Sequence, residues 1–399
     1  MENTIIKNPT KRAIFIEILM FLAYAFFAVN WIAGSSLTPQ ILDTYGVSGP
    51  HAVSLITNVV TLAKIIGNLL AASIFAKLFP KKSISLGALL IPLGSLLAAL
   101  APSFPIFLLG RFVMGFGGAL FVVYFSPVVM NYFDHSHRPV VNAINNVAYN
   151  VGGIIALLMV KPVLRMIGHG RGTLVAFSLI SMLVFILWIF VGEDFEIKQT
   201  KTATKEFSLK DAFKEKIALL MPTMYFGHLT LYMVMLNIFP NTNFLTIPAE
   251  RVSTYFTIGA MAGTLISIVV ANKIKKRVPV LKLGGILVTL IGLGLINAKN
   301  PTLVTILALG LGTMMYVPLT NFVLVVQELP SMYPEKLTQI MSVFWSLVYT
   351  FETIAYQIIV LIQHNFGDKT ALTATVILSA TFIVGSFFMP EPSEVKNNQ

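Results

Sequence analysis

The chain has 399 residues, 56% of them hydrophobic and only 11% charged, with a formal net charge of +11 and a mean hydropathy of +0.81. This composition lies far outside that of soluble globular domains and reads as an integral membrane protein. The absence of cysteine excludes thiol catalysis, disulfides and Cys-ligated metal, and six scattered His residues show no paired ligand spacing, so no metal or cofactor is expected.

Apolar runs long enough to cross a bilayer fall at 13–36, 50–76, 83–101, 105–132, 139–164 and 172–192, then at 217–240, 252–274, 280–297, 301–326, 337–363 and 370–389. Lipid tolerates only helices or closed barrels, and runs this long and uniform are too long for barrel strands, so twelve transmembrane helices are predicted. The basic start (Lys7, Lys11, Arg12) runs straight into the first span without a small-residue cleavage site, so that span is expected to be retained rather than removed as a signal peptide.

The first span carries Glu17, Tyr24, Trp31 and Ser35. On the second, Ser54, Asn58, Thr61, Lys64 and Asn68 recur at intervals of three or four and share one helical face, with Lys64 near mid-span and too deep to snorkel easily. A basic loop follows at Lys77–Lys82. The fourth span places Arg111 before a glycine-rich run. The DHSH stretch at 134–137 reads as a solvated connector rather than a metal site. The fifth span bears a stripe of Asn142, Asn145 or Asn146, Tyr149 and Gly153, with Asn150 at its edge.

Glu193 to Lys216 is the one long charged stretch of the interior, so the chain divides into a six-helix bundle at 1–192, a linker at 193–216 and a second bundle at 217–399. Within the linker, Ser208 to Lys216 is expected to form a short surface helix with Leu209, Phe213 and Ile217 on one face. The seventh span offers Tyr225, His228 and Tyr232. The eleventh groups Trp345, Tyr349, Glu352 and Tyr356, with Ser342, Ser346 and Thr353 beside them. Spans three, six, nine and twelve have no ionisable residue in their interiors.

With the N-terminus inside, 20 of the 28 Lys and Arg residues lie on cytoplasmic segments and six outside, with Lys64 and Arg111 within spans. That asymmetry predicts both termini cytoplasmic. It also accounts for the basic charge as topology and attraction to anionic lipid, with no nucleic-acid surface required. The second-to-third loops of both halves carry basic clusters, Lys77, Lys81 and Lys82, then Lys273, Lys275, Lys276 and Arg277, which suggests a parallel repeat.

At Leu108–Ala119, LLGRFVMGFGGA, the chain is similar to the fourth-helix signature of the major facilitator superfamily, an Arg followed by a glycine-rich run. The layout of twelve spans around a central linker resembles that family over essentially the whole length. The loop signature between the second and third helices is poorly kept, with Ala72 and Ala76 where Gly and Asp would stand. The fifth-helix Gly-Pro signature of proton-coupled drug exporters is missing from Asn146–Gly153. The resemblance implies two pseudo-symmetric six-helix bundles that rock around a central site by alternating access, with helices three, six, nine and twelve at the periphery.

Polar groups at membrane depth are costly and mark sites. Each single Asn, Ser or Thr also has a plainer reading as interhelical hydrogen-bond glue. Only Glu17 and Glu352, of 17 acids, lie within spans. Lys64 either pairs with a buried carboxylate, Glu352 above all, or meets an anionic substrate in an aqueous cavity. Glu352 is a candidate proton carrier. Arg111 is expected on backbone carbonyls or polar groups of the first helix, or in an ion pair. His228 is a hydrogen-bonded aromatic or a coupling group. Glu17 lies about one turn from the cytoplasmic end, where interfacial water is expected to reach it.

The expected substrate-binding set is Lys64, Asn58, Tyr24, Trp31, Asn146, Tyr149, Tyr225, Tyr232, Trp345, Tyr349 and Tyr356, with Glu352, Lys64, Arg111 and His228 as coupling or ion-pair residues. The expected function is transport of a small organic solute, an anion by virtue of Lys64, with proton coupling open. The alternatives are a proton-coupled exporter of drugs or lipophilic compounds, for which 17 Met and abundant Phe speak, and a non-transporting membrane sensor or membrane-embedded enzyme. The expected setting is a monomer in the cell membrane, with lipids, a small-molecule substrate and protons as its partners.

Overall fold

A computed structural model describes residues 10–133, 137–194, 209–332 and 334–397. Twelve helices are long and apolar enough to cross a membrane. They are α1 (Lys11–Ser36), α2 (Pro50–Ala71), α3 (Lys77–Leu100), α4 (Phe104–Phe125, its helix running on to Tyr132), α5 (Val147–Ile167, its helix starting at Arg138) and α6 (Gly170–Val191), then α7 (Lys216–Asn241), α8 (Ala249–Lys273), α9 (Val278–Asn297), α10 (Pro301–Gln327), α11 (Ile340–Phe366) and α12 (Asp368–Ser386). Among the described residues there is no strand.

The helix boundaries follow ordinary capping chemistry. The Thr10 side chain accepts from the Ala13 N–H at the start of α1, and Asn300 accepts from the N–H groups of Thr302 and Leu303 at the start of α10. Gly168, with φ 87°, closes α5 in the left-handed conformation.

Several details depart from the uninterrupted spans expected. A further short helix, Thr38–Tyr45, lies between α1 and α2. No multi-residue loop separates α2 from α3: helix runs from Pro50 to Leu100 except at Phe79, whose φ of 64° and ψ of 161° make the turn. Pro80 disfavours the α conformation at the residue before it, which puts the break at Phe79. The tenth span is two helices, Pro301–Tyr316 and Leu319–Gln327, interrupted at Pro318. The twelfth likewise divides into Asp368–Ser379 and Thr381–Ser386.

The linker helix is a single turn, Leu209–Ala212. The apolar face expected for it is not formed, because Phe213 is exposed while Ala212 and Ile217 are buried. The Leu209 side chain and residues 195–208 lie outside the described residues. The end of the linker is anchored instead by Glu215, which pairs with Lys336 at 2.6 Å.

By contact the chain forms two compact units: unit 1, Met1–Tyr45 with Val59–Lys201, and unit 2, Gly46–Asn58 with Thr202–Gln399. In unit 1, α1 packs against α4, α5 and α6. Gly152 lets α5 approach α1 so closely that a Cβ there would overlap the Ala25 carbonyl. In unit 2, α7 packs against α11 and α12, α8 against α10, and α9 against α10 and α12.

Each unit ties its helix ends with acids that follow its sixth helix. In unit 1, Glu193 pairs with Arg12 at 3.0 Å and accepts from the Tyr132 hydroxyl, while Asp194 accepts from the Lys81 N–H near the start of α3. In unit 2, Glu391 accepts from the Arg277 and Val278 N–H groups at the start of α9. Glu193 and Asp194, assigned from sequence to a solvated tether, thus act as fixed parts of unit 1. Free N–H groups at a helix start attract carboxylates, so the same position in both units carries an acid.

Candidate functional site

Lys64 of the polar stripe of α2 meets aromatic residues of α1 and α5 in unit 1. Lys64 is 4% exposed, and its Nζ lies 5.0 Å from the ring centroid of Trp31 and 5.9 Å from that of Tyr149. Trp31 and Tyr149 stand edge to face at 5.6 Å, Tyr24 stacks on Phe27 at 5.6 Å, and Phe27 leans on Trp31 at 5.6 Å. An ammonium over aromatic faces gains on the order of 2 kcal/mol when desolvated. The indole N–H of Trp31 is buried and makes no hydrogen bond among the described residues.

This corner of α1 is held from behind. Arg111, 2% exposed on α4, donates to the carbonyls of Asn30 and Trp31, both at 3.0 Å, and to the Ser35 hydroxyl at 3.5 Å. Its guanidinium crosses α1 at Gly34, where a Cβ would meet the Arg111 Cζ at 2.7 Å. Asn30 in turn donates to Ser181 of α6 at 2.8 Å and accepts from Ser178 at 3.4 Å. A five-donor planar cation suits such a cluster of oxygens, and lipid offers it no alternative. Of the two readings open for Arg111, these contacts are those of the carbonyl-bound one.

Glu17 is 7% exposed, so the expectation that interfacial water reaches it is corrected. Its position near the end of α1 is covered where α5 packs on α1.

In unit 2 the aromatic residues form two groups. Tyr225 stacks on Phe322 at 5.5 Å and meets Trp345 edge on at 6.4 Å, and Trp345 stacks on Tyr349 at 5.7 Å. Tyr232 sits elsewhere, 5.9 Å from both Phe256 of α8 and Tyr316 of α10. Glu352 is fully buried on α11. His228 is fully buried, with Nδ1 3.2 Å from the Ser379 carbonyl and its ring stacked 4.2 Å from Phe382. A carbonyl can only accept, so this geometry assigns the proton to Nδ1.

Two expected site residues join α2 to α11 inside unit 2. The Tyr356 hydroxyl donates to Thr57 Oγ1 at 3.3 Å, and Asn58 donates to the Thr353 carbonyl at 3.4 Å. Ser54 donates to Gln357 Oε1, and Gln357 Nε2 lies 3.0 Å from His51 Nδ1. The side chains of Asn146 and Asn142, and residues 134–136 of the DHSH stretch, lie outside the described residues. Among the described residues, no group of three or more His, Cys, Asp or Glu is arranged to hold a metal.

Asn30, Ser178 and Ser181 were missing from the sequence-based set. Their signal was there: Asn30 adjoins Trp31 at mid-span, and the two serines lie three residues apart on one face of α6.

The profile of the Major Facilitator Superfamily matches residues 19–351. An uncharacterised protein of Campylobacter jejuni is 30% identical over 219 residues, 54% of this chain and 66% of that protein. An uncharacterised protein of Mesomycoplasma hyopneumoniae is 23% identical over 222 residues, 50% of this chain and 45% of that one. These matches thus span less than two thirds of either relative. Among solved structures, a bacterial homologue of the human lysosomal transporter Spinster superposes with a TM-score of 0.73 at 13% identity, covering 96% of this chain and 98% of that one. The inward-open xylose transporter XylE of E. coli gives 0.73 at 14% identity, covering 97% and 99%. The profile match over most of the chain, together with twelve helices long and apolar enough to cross a membrane, shows that the chain belongs to the major facilitator superfamily.

Proposed function

We propose that the chain carries a small organic anion across the cell membrane by alternating access, coupled to protons, with both termini in the cytoplasm. The observation that carries this reading is Lys64: a buried ammonium on the polar face of α2, seated against Trp31 and Tyr149. At membrane depth an anion adds a large favourable term to such a group, and a carboxylate can accept from the Trp31 N–H as well. Aromatic walls suit the organic remainder of the solute. Binding by Lys64 is accordingly the step that selects charge.

The test is Lys64→Ala in proteoliposomes, assayed for uptake and exchange of a panel of carboxylates. Uptake is expected to fall at least about tenfold, the loss of roughly 1.4 kcal/mol or more of binding, while the thermal unfolding of the purified protein is retained. Normal transport by the variant would overturn the anion reading.

The aromatic group of Tyr225, Phe322, Trp345 and Tyr349 favours a second reading, an exporter of lipophilic compounds. The two separate cleanly in cells expressing the chain: resistance to lipophilic cations supports the second, because Lys64 repels cations from its surroundings.

A further inference from the structure

Glu17 and Asn145 face one another where α1 packs on the start of the α5 helix. Glu17 is 7% exposed and Asn145 5%. Neither carboxyl oxygen of Glu17, and neither polar atom of the Asn145 carboxamide, makes a hydrogen bond of ordinary geometry. Four buried polar atoms without a well-formed hydrogen bond on two packed helices are costly as they stand. An ionised carboxylate there is costlier still unless a cation joins it.

Among the described residues, the cations of the surrounding elements lie elsewhere, Lys11 being exposed at the start of α1. Arg12 pairs with Glu193, Arg111 holds the α1 carbonyls, and Arg171 donates to Tyr45 and to the Ala101 carbonyl. Lys64 lies at Trp31, fourteen residues beyond Glu17 and so roughly 20 Å along α1. Lys161 and Arg165 are further still from Asn145 along α5. The tyrosines of these elements are Tyr24 and Tyr149, in the ring group around Trp31, Tyr124, which donates to the Ala71 carbonyl, and Tyr132, bound to Glu193. At the same end of α5 stand His137 and Arg138, the latter with its side chain outside the described residues.

Donor and acceptor counting then selects the ligand. A carboxylic acid offers one O–H donor and one carbonyl acceptor, and a carboxamide offers one carbonyl acceptor and N–H donors, so the two form reciprocal hydrogen bonds. An ionised carboxylate has only acceptors: it can accept from the Asn145 N–H but offers Asn145 Oδ1 no donor. The pair supplies at most three oxygens, fewer than the six or more that a hard divalent cation takes.

We propose that Glu17 and Asn145 form a proton-binding site within unit 1, in which the protonated carboxyl is stabilised by the carboxamide. The step is a plain protonation: the carboxylate takes a proton from hydronium, releases water, and returns the proton when hydrated. The use of this proton to drive transport rests on the proton-coupled reading above, whereas its binding does not.

The site is tested by infrared difference spectroscopy of the full-length protein in D2O, stepped between about pH 5 and pH 9, a range above the ordinary Glu pKa. The wild type is expected to show a protonated-carboxyl C=O band that Glu17→Gln loses and Glu352→Gln keeps. Asn145→Leu, which removes the carboxamide and keeps the volume, should keep the band but shift it. A spectrum in which Glu17→Gln removes no band overturns the proposal. A sodium-dependent rise in unfolding temperature that Glu17→Gln abolishes also overturns it, in favour of a metal cation. If the band behaves as expected but carboxylate uptake by the wild type moves no protons, the site stands and the coupled reading falls.

Discussion

At the scale of single residues, two positions carry consequences that their neighbours do not. Gly34 is where the Arg111 side chain crosses α1, and an added Cβ would strike Nη1 and Cζ. Gly34→Ala is therefore expected to push the guanidinium off the Asn30 and Trp31 carbonyls, at a cost of about 1–3 kcal/mol. A lowered thermal midpoint in detergent checks this, and an unchanged one would show that the helices part without loss. The second position is Phe79, held at φ 64° and ψ 161° and 63% exposed as a residue. That backbone region is essentially a glycine one, and an exposed residue gives little packing in return. Phe79→Gly is expected to raise stability by about 1–3 kcal/mol, read from the denaturation midpoint.

At the scale of elements, the α8–α9 turn is fastened by one arginine. Arg277 makes a two-pronged contact with Glu328 at 3.1 and 2.7 Å and donates to the carbonyls of Ala271 and Ile274 and to Asn321. Removing it strands a carboxylate and several buried oxygens together. Arg277→Ala is expected to cost about 2 kcal/mol, the Glu328 side chain being 31% exposed and so partly screened. Glu391→Ala, which removes the acceptor from two N–H groups at the start of α9, should cost less, about 1 kcal/mol. Measured unfolding temperatures in that order, Arg277→Ala below Glu391→Ala below wild type, are the expected result. The reverse order would mean that the cap outweighs the pair.

For the molecule as a whole, α2 is the element that belongs to both units. Its first residues, with the segment before them, Gly46–Asn58, belong to unit 2, and the chain from Val59 onward belongs to unit 1. Alternating access changes the arrangement of two bundles. The alternating access proposed above would have to either bend α2 near Asn58 or break the bonds that Ser54, Thr57 and Asn58 make with α11. A disulfide between Ser54→Cys and Gln357→Cys should therefore arrest transport under oxidation and release it on reduction. The chain has no native cysteine to confuse the result. Full activity of the oxidised, cross-linked protein would show that α2 bends instead.

The fold was legible in the chain because a spanning helix is a local requirement: about twenty apolar residues that satisfy their own backbone in lipid. Hydropathy along the chain reports that directly, and the twelve spans were recovered within a few residues. The breaks at Phe79, Pro318 and Ala380 were less visible, since they turn on one backbone angle rather than on composition. The Arg111 signature and the polar face of α2 were also local, set by helical spacing. What they touch was not. The seating of Lys64 on Trp31 and Tyr149, the grip of Arg111 on α1, the covering of Glu17 by α5 and the capping of α9 by Glu391 all join residues tens to more than a hundred positions apart. Such contacts depend on how each helix is rotated about its axis and which neighbour it meets, and packing among helices decides that. The sequence by itself determined which polar groups enter the membrane, because each must be written into an apolar run. Only the tertiary structure decided their partners, because a buried polar group takes the nearest complementary atom in space, wherever the chain has brought it.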